Sequence, residues 1–177
     1  MLSPRLATLD DVASLTGLLQ LSVRALQAGD YTPEQIEVSL RTVYGIDTQL
    51  IYDATYYVIE EEGATVGCGG WSRRNTLFGG DQLNSRDDSL LDPATDAARI
   101  RAFFVHPQWA RRGVGAMLLT HCEQAAAHHG FRRLELGATV TGVPFYRRYG
   151  YTELARLEVP LEPGLTMPII QMEKRLP

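Results

Sequence analysis

The sequence predicts an α/β protein of the α+β kind, in which helices flank a central mixed β-sheet. Three observations favour this class: helical spacing of apolar residues near the N-terminus, a hairpin of β-branched and aromatic residues, and one strand–loop–helix–strand unit in the second half. The chain has 177 residues, 45% of them hydrophobic, which is enough for one globular core. We therefore expect residues 1–177 to form a single domain.

Three helices are predicted from apolar spacing and from capping residues. Thr8 or Asp10 can cap the first, whose apolar positions follow helical spacing. The segment TPEQ is a capping box, with Thr32 as N-cap and a proline at the first helical position. Gly130 is a typical residue for the end of the third helix. The predicted helices run from about residue 10 to Gly29, from 32 to about Val43, and from Gly113 to about His129.

Seven strands are predicted where β-branched and aromatic residues lie between turn signals. They are expected at 5–7, 55–60, 64–73, 99–105, 132–137, 151–159 and 167–174. A tight turn at EEG makes the second and third strands a hairpin. A strand, a helix and a further strand in the second half form a unit that favours a parallel strand pair. The polar stretch 75–98 is predicted to be a long surface loop.

Composition argues against several classes of partner. The 17 Lys and Arg against 21 Asp and Glu leave a formal charge of -4, without the basic excess that nonspecific nucleic-acid binding needs. Cys68 and Cys122 are far apart and have no metal or redox spacing. No apolar run reaches the roughly 18 residues of a membrane span, and acidic residues follow the N-terminus too soon for a signal peptide. We expect no nucleic acid, membrane or metal partner, and a cytoplasmic location.

The segment VHPQWARRGVGAML, residues 105–118, is typical of an anion-binding turn. A glycine-containing loop before a helix points unpaired backbone amides and the positive end of the helix dipole at one place. Gly113 and Gly115 let a bulky anion approach, and Arg111 and Arg112 add positive charge. The motif alone is weak, since it lacks the third glycine of a dinucleotide fingerprint and the GK[ST] of a P-loop. The alternative is that the glycines only permit close packing.

A second motif, FYRRYGY at 145–151, follows one strand later. The two motifs, FFVHP with ARRGVG and then FYRRYGY, together resemble the GNAT superfamily of acyl-CoA-dependent N-acyltransferases. The predicted order of elements across about residues 5–174 is also similar to that family. Two positions depart from it: Ala110 stands where Gln or Arg is usual, and GATVTG at 137–142 replaces the usual Asn-containing segment.

The resemblance implies a GNAT-like fold in which a parallel strand pair splays apart to hold acetyl-CoA, the acyl donor. The implied cofactor-binding residues are Phe103, Phe104, Val105, Arg111, Arg112, Gly113, Val114, Gly115 and Ala116. An amine would attack the thioester directly, without an acyl-enzyme, and a strand amide near Phe104 or Val105 would stabilise the oxyanion. Tyr146 is implied as the general acid that protonates the departing thiolate. The implied activity is that of an N-acetyltransferase, with no metal.

The general base and the acceptor site stay open at this stage. Glu60, Glu135 and His106 are candidates for the base, and a water chain is at least as plausible. Tyr31 and Tyr44 lie where the resemblance implies an acceptor pocket. The acceptor itself is expected to be the primary amine of a small molecule or of a protein.

Two other functions remain possible on the sequence alone. A noncatalytic acyl-CoA-binding sensor or interaction module could share the fold, because no base is identified and Ala110 departs from the motif. An unrelated nucleotide-binding domain could use the same helix N-terminus. The C-terminal strands could also pair across a homodimer.

Overall fold

The computed structural model describes residues 1–177 and contains one mixed sheet of seven strands. The strands are β1 Ser3–Leu6, β2 Tyr56–Glu61, β3 Ala64–Ser72, β4 Ala98–Val105, β5 Arg133–Thr139, β6 Thr152–Glu162 and β7 Leu165–Arg175. They are ordered β1-β2-β3-β4-β5-β7-β6 across the sheet. Every neighbouring pair is antiparallel except β4 and β5, which are parallel. The predicted class, a mixed sheet with flanking helices, is confirmed.

Five helices flank the sheet, two more than the sequence predicts. They are α1 Val12–Leu26, α2 Pro33–Thr42, α3 Thr48–Tyr52, α4 Val114–His128 and α5 Val143–Arg148. The capping box of α2 is present, because Thr32 Oγ1 accepts from the Gln35 amide at 3.1 Å and Gln35 Oε1 accepts from the Thr32 amide at 2.9 Å. The additional helices, α3 and α5, have five and six residues. Such short helices show no full hydrophobic period, so the pattern of the sequence does not reveal them.

Each face of the sheet carries its own apolar core. On one face, α1 and α2 bury residues such as Leu15 and Val38 against Tyr56 and Phe104. On the other face, α4 and α5 bury a second set of residues with Trp71, Tyr151 and Phe131 as its largest members. The sheet therefore separates two packed layers, and a channel between the faces can exist only where neighbouring strands part.

Strands β4 and β5 part after only two paired residues. Ala98 pairs with Leu134 and Arg99 with Glu135, and no pairing follows toward the C-terminal ends. A bulge in β4 accompanies the separation: the register against β3 shifts next to Gly69, and Ala102 adopts a left-handed φ of 55°. Bulges of this kind bend the strand that carries them.

The bulge of β4 is held from both sides of the sheet. The Tyr56 hydroxyl donates to the Ala102 carbonyl at 3.0 Å. A Cβ atom on Gly69 would overlap the Phe103 ring, so only glycine allows the ring to lie there without rearrangement. The left-handed Ala102 is uncommon for a residue with a side chain, and the surrounding contacts keep it in place.

A buried ion pair joins β4 to the loop that the sequence predicts at 75–98. Arg101 in β4 is 3% exposed and donates to Asp47 Oδ2 at 2.8 Å. It also donates to the carbonyls of Thr76 at 2.9 Å and Gly79 at 2.7 Å. Arg86 from the same loop donates to the other Asp47 oxygen at 3.0 Å. Asp47 thus ties the start of α3, strand β4 and the loop together.

The helices and the possible metal ligands of the structure were predicted to form neither a membrane span nor a metal site. No helix is both long enough and apolar enough to cross a bilayer. No group of three or more His, Cys, Asp or Glu side chains lies together in a way that could hold a metal ion. Cys68 and Cys122 are free thiols, each fully buried, and burial raises the pKa of both.

We predict that Arg101→Met lowers the free energy of unfolding by about 3–5 kcal/mol, because it leaves the Asp47 carboxylate buried with one cation fewer. Urea unfolding measures the change. Glu37→Gln is the control, since it breaks an ion pair with Arg24 in which both side chains are about half exposed. The control should leave the urea midpoint nearly unchanged. A similar small shift for Arg101→Met would contradict the role given to the buried pair.

Candidate active site

A cavity of about 950 Å³ opens where β4 and β5 part. Its lining includes members of both cores, so it connects the α4–α5 face of the sheet to the α1–α2 face. The lining comes from the end of α1, the segment after α2, residues 77–80, strands β4, β5 and β7, the turn before α4 with the first residues of that helix, and α5 with its flanking residues. Ligand sites in proteins of this kind are concave and mostly apolar with a few placed polar groups.

The N-terminus of α4 forms one end of the cavity. Gly113 is the N-cap and has a left-handed φ of 90°, which glycine adopts without strain. Ala110, Arg111, Gly113, Gly115 and Ala116 line the cavity. A Cβ atom on Gly115 would lie 3.3 Å from the Phe145 ring, so this glycine also permits α5 to approach. The first amides of the helix have no partners within it, which makes this end suited to an anion.

The two arginines of the turn have different surroundings. Arg111 lines the cavity, whereas the Arg112 guanidinium lies 5.8 Å from the centre of the Trp109 ring. Trp109 is held in turn by Glu61, whose Oε2 accepts from the indole Nε1 at 2.7 Å. The sequence treats the arginines as equivalent, but the structure places only Arg111 in the lining. Val114, another predicted contact, is 1% exposed and packs in the core, so only its backbone amide can serve a ligand.

Phe103, Phe104 and Val105 all line the cavity, but their backbone groups point in different directions. The His106 amide donates to the Val66 carbonyl of β3 at 2.9 Å. By the alternation of an antiparallel ladder, the Phe104 amide also faces β3 and the Val105 amide faces away from it. The Val105 amide instead donates to Ser22 Oγ at 3.2 Å.

Ser22 is a site residue that the sequence analysis missed. It lies on α1, is 5% exposed, and lines the cavity. The signal in the sequence was a polar residue within the apolar stripe of α1, between Leu19 and Val23. The sequence analysis expected the amide of Phe104 or of Val105 to face an oxyanion. In the structure the Phe104 amide faces β3, and the Val105 amide donates to the Ser22 side chain. Phe103 lies in the bulge and has no paired residue on β3.

Tyr146 lies on α5 among aromatic rings and lines the cavity. Its ring centre is 6.3 Å from that of Phe103, 5.1 Å from Phe145 and 5.7 Å from Tyr151. The hydroxyl makes no hydrogen bond within the protein. Burial raises the pKa of Tyr146 well above its ordinary value, so the phenol stays protonated throughout the physiological range.

The two tyrosines predicted for an acceptor pocket have separate positions. Tyr44 lines the cavity, where its hydroxyl donates to Gln27 Oε1 at 3.0 Å and its ring meets the Phe104 ring edge-on at 6.1 Å. Tyr31 lies outside the lining. Its hydroxyl donates to the Pro168 carbonyl at 2.7 Å and accepts from the Val140 amide at 2.8 Å. Tyr31 thus ties the link between α1 and α2 to β7.

None of the three candidate bases lines the cavity. Glu60 pairs with Arg5 at 2.7 Å, and Glu135 pairs with Arg99 at 2.8 Å. His106 Nδ1 accepts from the backbone amide two residues later at 3.2 Å, and the ring packs on Trp109. Each group is committed to a structural contact.

Residues 77–80, Leu-Phe-Gly-Gly, are a wall of the cavity that the sequence did not predict. Phe78 lies 3.4 Å from where a Cβ of Gly137 in β5 would be. A Cβ atom on Gly80 would lie 2.5 Å from the backbone of Gly45, and the Gly80 amide donates to the Val43 carbonyl at 2.9 Å. The only feature of the sequence that could have indicated this wall is the pair of adjacent glycines in a polar loop.

Comparison with known proteins identifies related domains and folds. A family model described as an acetyltransferase (GNAT) domain matches residues 52–153, more than half of the chain. No sequence match was found among curated proteins.

Solved structures with the same fold extend over the whole chain. A GCN5-related N-acetyltransferase from Rhodopseudomonas palustris is 22% identical over 98% of this chain and 95% of its own, with a TM-score of 0.72. The PaiA N-acetyltransferase from Thermoplasma acidophilum, solved with coenzyme A, is 13% identical over 99% of both chains, with a TM-score of 0.67. YncA from Salmonella typhimurium, a putative acetyltransferase solved with acetyl-CoA, is 18% identical over 100% of this chain and 95% of its own, with a TM-score of 0.61. At these identities the likeness shows the fold.

We predict that Gly80→Ala destabilises the protein by about 1–3 kcal/mol, because the new methyl group meets the Gly45 backbone and must displace it. Thermal unfolding measures the change. Gly17→Ala is the matched control: Gly17 is exposed on α1 with open space at its Cβ, so the substitution should stabilise the helix by roughly 0.5–1 kcal/mol. Equal effects of the two substitutions would show that the glycine contact does not hold the cavity wall.

Proposed function

The chain belongs to the GNAT acetyltransferase family, and on that premise we propose that it transfers the acetyl group of acetyl-CoA to a primary amine by direct attack. The observation that carries the proposal is the cavity itself. It runs along β4 where the strand lacks a partner and ends at the N-terminus of α4. A donor whose pantetheine arm carries a thioester at one end and a diphosphate at the other matches this combination of an open strand edge and an anion site.

In this proposal the amides of residues 111–116 bind the pyrophosphate, except that of Arg112, which donates to the Trp109 carbonyl at 3.3 Å. Arg111 adds a charge-assisted contact. The pantetheine arm lies along Phe103, Phe104 and Val105. Arg112 acts indirectly, because its position over Trp109 supports the turn. The departure at Ala110 removes one side-chain contact and leaves the backbone amides intact.

The amides of Phe103, in the bulge, and of Val105, beyond it, are the ones that we assign to an oxyanion. Phe103 is the extra residue of the bulge and has no paired residue on β3. The Val105 amide makes a hydrogen bond of 3.2 Å to Ser22, at the long end of the normal range, which a carbonyl of the donor can replace. Oxyanion donors of this kind typically contribute about a hundredfold or more to the rate.

Tyr146 is proposed as the group that passes a proton to the departing sulfur. Because the pKa of the phenol is raised, the hydroxyl carries its proton at neutral pH and donates a hydrogen bond as negative charge develops on the thiolate. The nitrogen–carbon bond forms, the carbon–sulfur bond breaks, and the proton lost by the amine replaces the one that the phenol gives up. The chemistry balances without a metal or an acyl-enzyme.

Several expectations stay predictions. They are the single-domain organisation, the cytoplasmic location and a homodimer formed through the C-terminal strands. The noncatalytic sensor differs from the proposed enzyme in one respect that can be measured, because it would bind acyl-CoA without turnover.

We predict that Tyr146→Phe lowers kcat by about a hundredfold to ten-thousandfold and leaves the affinity for acetyl-CoA nearly unchanged, because only the proton donor is lost. Release of free CoA thiol in the presence of an amine acceptor measures the rate. Tyr149→Phe removes the hydroxyl of a neighbouring tyrosine on the same segment and should have little effect. An unchanged rate for Tyr146→Phe would exclude the proposed role of the phenol, and a wild-type protein that binds acetyl-CoA but never turns over would favour the sensor.

We predict that Arg111→Ala weakens CoA binding by about tenfold, the usual cost of one hydrogen bond to a charged group. Arg112→Ala should weaken it by less than about threefold, because its side chain lies over Trp109 outside the cavity. Equilibrium dialysis with CoA compares the two variants, which remove the same charge. The reverse order of effects would contradict the assignment of Arg111 to the pyrophosphate.

A further inference from the structure

The part of the cavity on the α1–α2 face has no charged side chain. We call this part the acceptor half, and its side chains are those of Ser22, Leu26, Gln27, Val43, Tyr44, Leu77, Phe78 and Ile169. The charged residues in the whole lining are Arg111 and Arg148, and both lie on the opposite side, next to α4 and on α5. The lining contains no Asp, Glu or His.

Three carboxylates that lie close to lining residues in the chain or through a hydrogen bond are already engaged. Asp47 is 1% exposed and is bound by Arg101 and Arg86. Asp81 accepts from the Thr48 hydroxyl at 2.8 Å. Asp30 is not a lining residue and accepts from the hydroxyl of Thr141, which does line the cavity, at 2.7 Å. Of these groups only Asp30 lies next to a lining side chain.

The polar groups that the acceptor half does offer are neutral. The Tyr44 hydroxyl donates to Gln27 Oε1, and Gln27 Nε2 makes no hydrogen bond within the protein although the residue is 8% exposed. Burial raises the pKa of Tyr44 far above its ordinary value, so this hydroxyl does not ionise to receive a cation. The pair can hydrogen-bond a neutral amine but supplies no counter-charge for an ammonium group.

An ammonium ion is therefore disfavoured in this half of the cavity. Burying an unpaired charge among apolar side chains is costly, and a charged group in such a place loses its proton instead. No side chain in the lining can take that proton as a general base. The attacking amine must then enter as its free base, and its own pKa decides how much of it is available.

We propose that the acceptor is a weakly basic amine carried on an apolar group, such as an arylamine, and that it is taken up uncharged. The inference rests on the proposed acetyl transfer and names the substrate class of the same site. A lysine-like amine of pKa about 10.4 is less than about 0.1% neutral at pH 7, and an α-amino group of pKa about 8 is about a tenth neutral. Polyamines and lysine side chains are accordingly poor acceptors, and ring-bound amines are good ones.

The first test compares kcat/KM for aniline, 2-phenylethylamine and spermidine at pH 7. Aniline is neutral at this pH, and the other two are cations. We expect aniline to exceed spermidine by at least tenfold. The value for 2-phenylethylamine should rise about tenfold per pH unit between pH 6 and 9, and the value for aniline should stay flat. A break at the same pH for both aromatic amines would reveal a base in the protein and overturn the proposal, as would a preference for spermidine.

The second test adds a carboxylate to the acceptor half. Gln27→Glu should raise the ratio of kcat/KM for 2-phenylethylamine over that for aniline by at least tenfold, because it supplies the missing counter-charge. Gln20→Glu, at an exposed position on α1, the helix that Gln27 caps, adds the same charge outside the cavity and should leave the ratio unchanged. An unchanged ratio in Gln27→Glu would overturn the assignment of Gln27 to the acceptor half.

Asp30 provides the competing explanation, in which a carboxylate at the margin of the cavity binds a cationic amine. Asp30→Asn should leave all three kcat/KM values nearly unchanged, and a loss confined to spermidine would overturn the proposal. The affinity for acetyl-CoA, measured without an amine, distinguishes a failure of the proposed acceptor class from a failure of the proposed acetyl transfer. Donor binding with turnover of cationic amines alone rejects only the acceptor class, whereas absence of donor binding rejects the acetyl transfer and the acceptor class together.

Discussion

The cavity exists because β4 and β5 separate early. Two residue pairs hold the strands together, and beyond them the backbone of β4 has no strand on that side. Unpaired backbone groups in a protein interior need other partners. Here the Val105 amide bonds to Ser22, and the bulge at Ala102 is held by the Tyr56 hydroxyl. Specific hydrogen bonds therefore stabilise the opening in the sheet. The opening joins the N-terminal end of α4 to the opposite face of the sheet.

A second constraint, the Arg101–Asp47 ion pair, shapes the acceptor half of the cavity. A buried guanidinium is expensive, and Arg101 Nε has no hydrogen-bond partner, so the pair does not simply add stability. The contribution of the pair is to fix the position of the loop before β4. By binding the carbonyls of Thr76 and Gly79, Arg101 fixes the loop that carries Phe78 into the cavity. Arg101 and Arg86 also bind one oxygen each of the Asp47 carboxylate, so this carboxylate is not available to the acceptor half.

The sequence could predict the sheet and the anion-binding turn because both depend on local patterns. Capping residues mark α2, and β-branched runs mark the strands. The differences between neighbouring residues could not be predicted. Arg111 and Arg112 are adjacent and chemically identical, yet Trp109 engages only one of them. Ser22 and Phe78 enter the site through contacts with residues about 80 and 60 positions away, which no local pattern records.

Hydrogen–deuterium exchange in β4 can show whether the donor lies along the unpaired edge of that strand. CoA is expected to slow amide exchange at residues 103–105, whereas adenosine 3′,5′-bisphosphate, which lacks the pantetheine arm, should slow exchange only in the turn before α4. Exchange at 103–105 that is unchanged by CoA, or slowed equally by both ligands, would contradict the assignment of the parted strand edge to the donor.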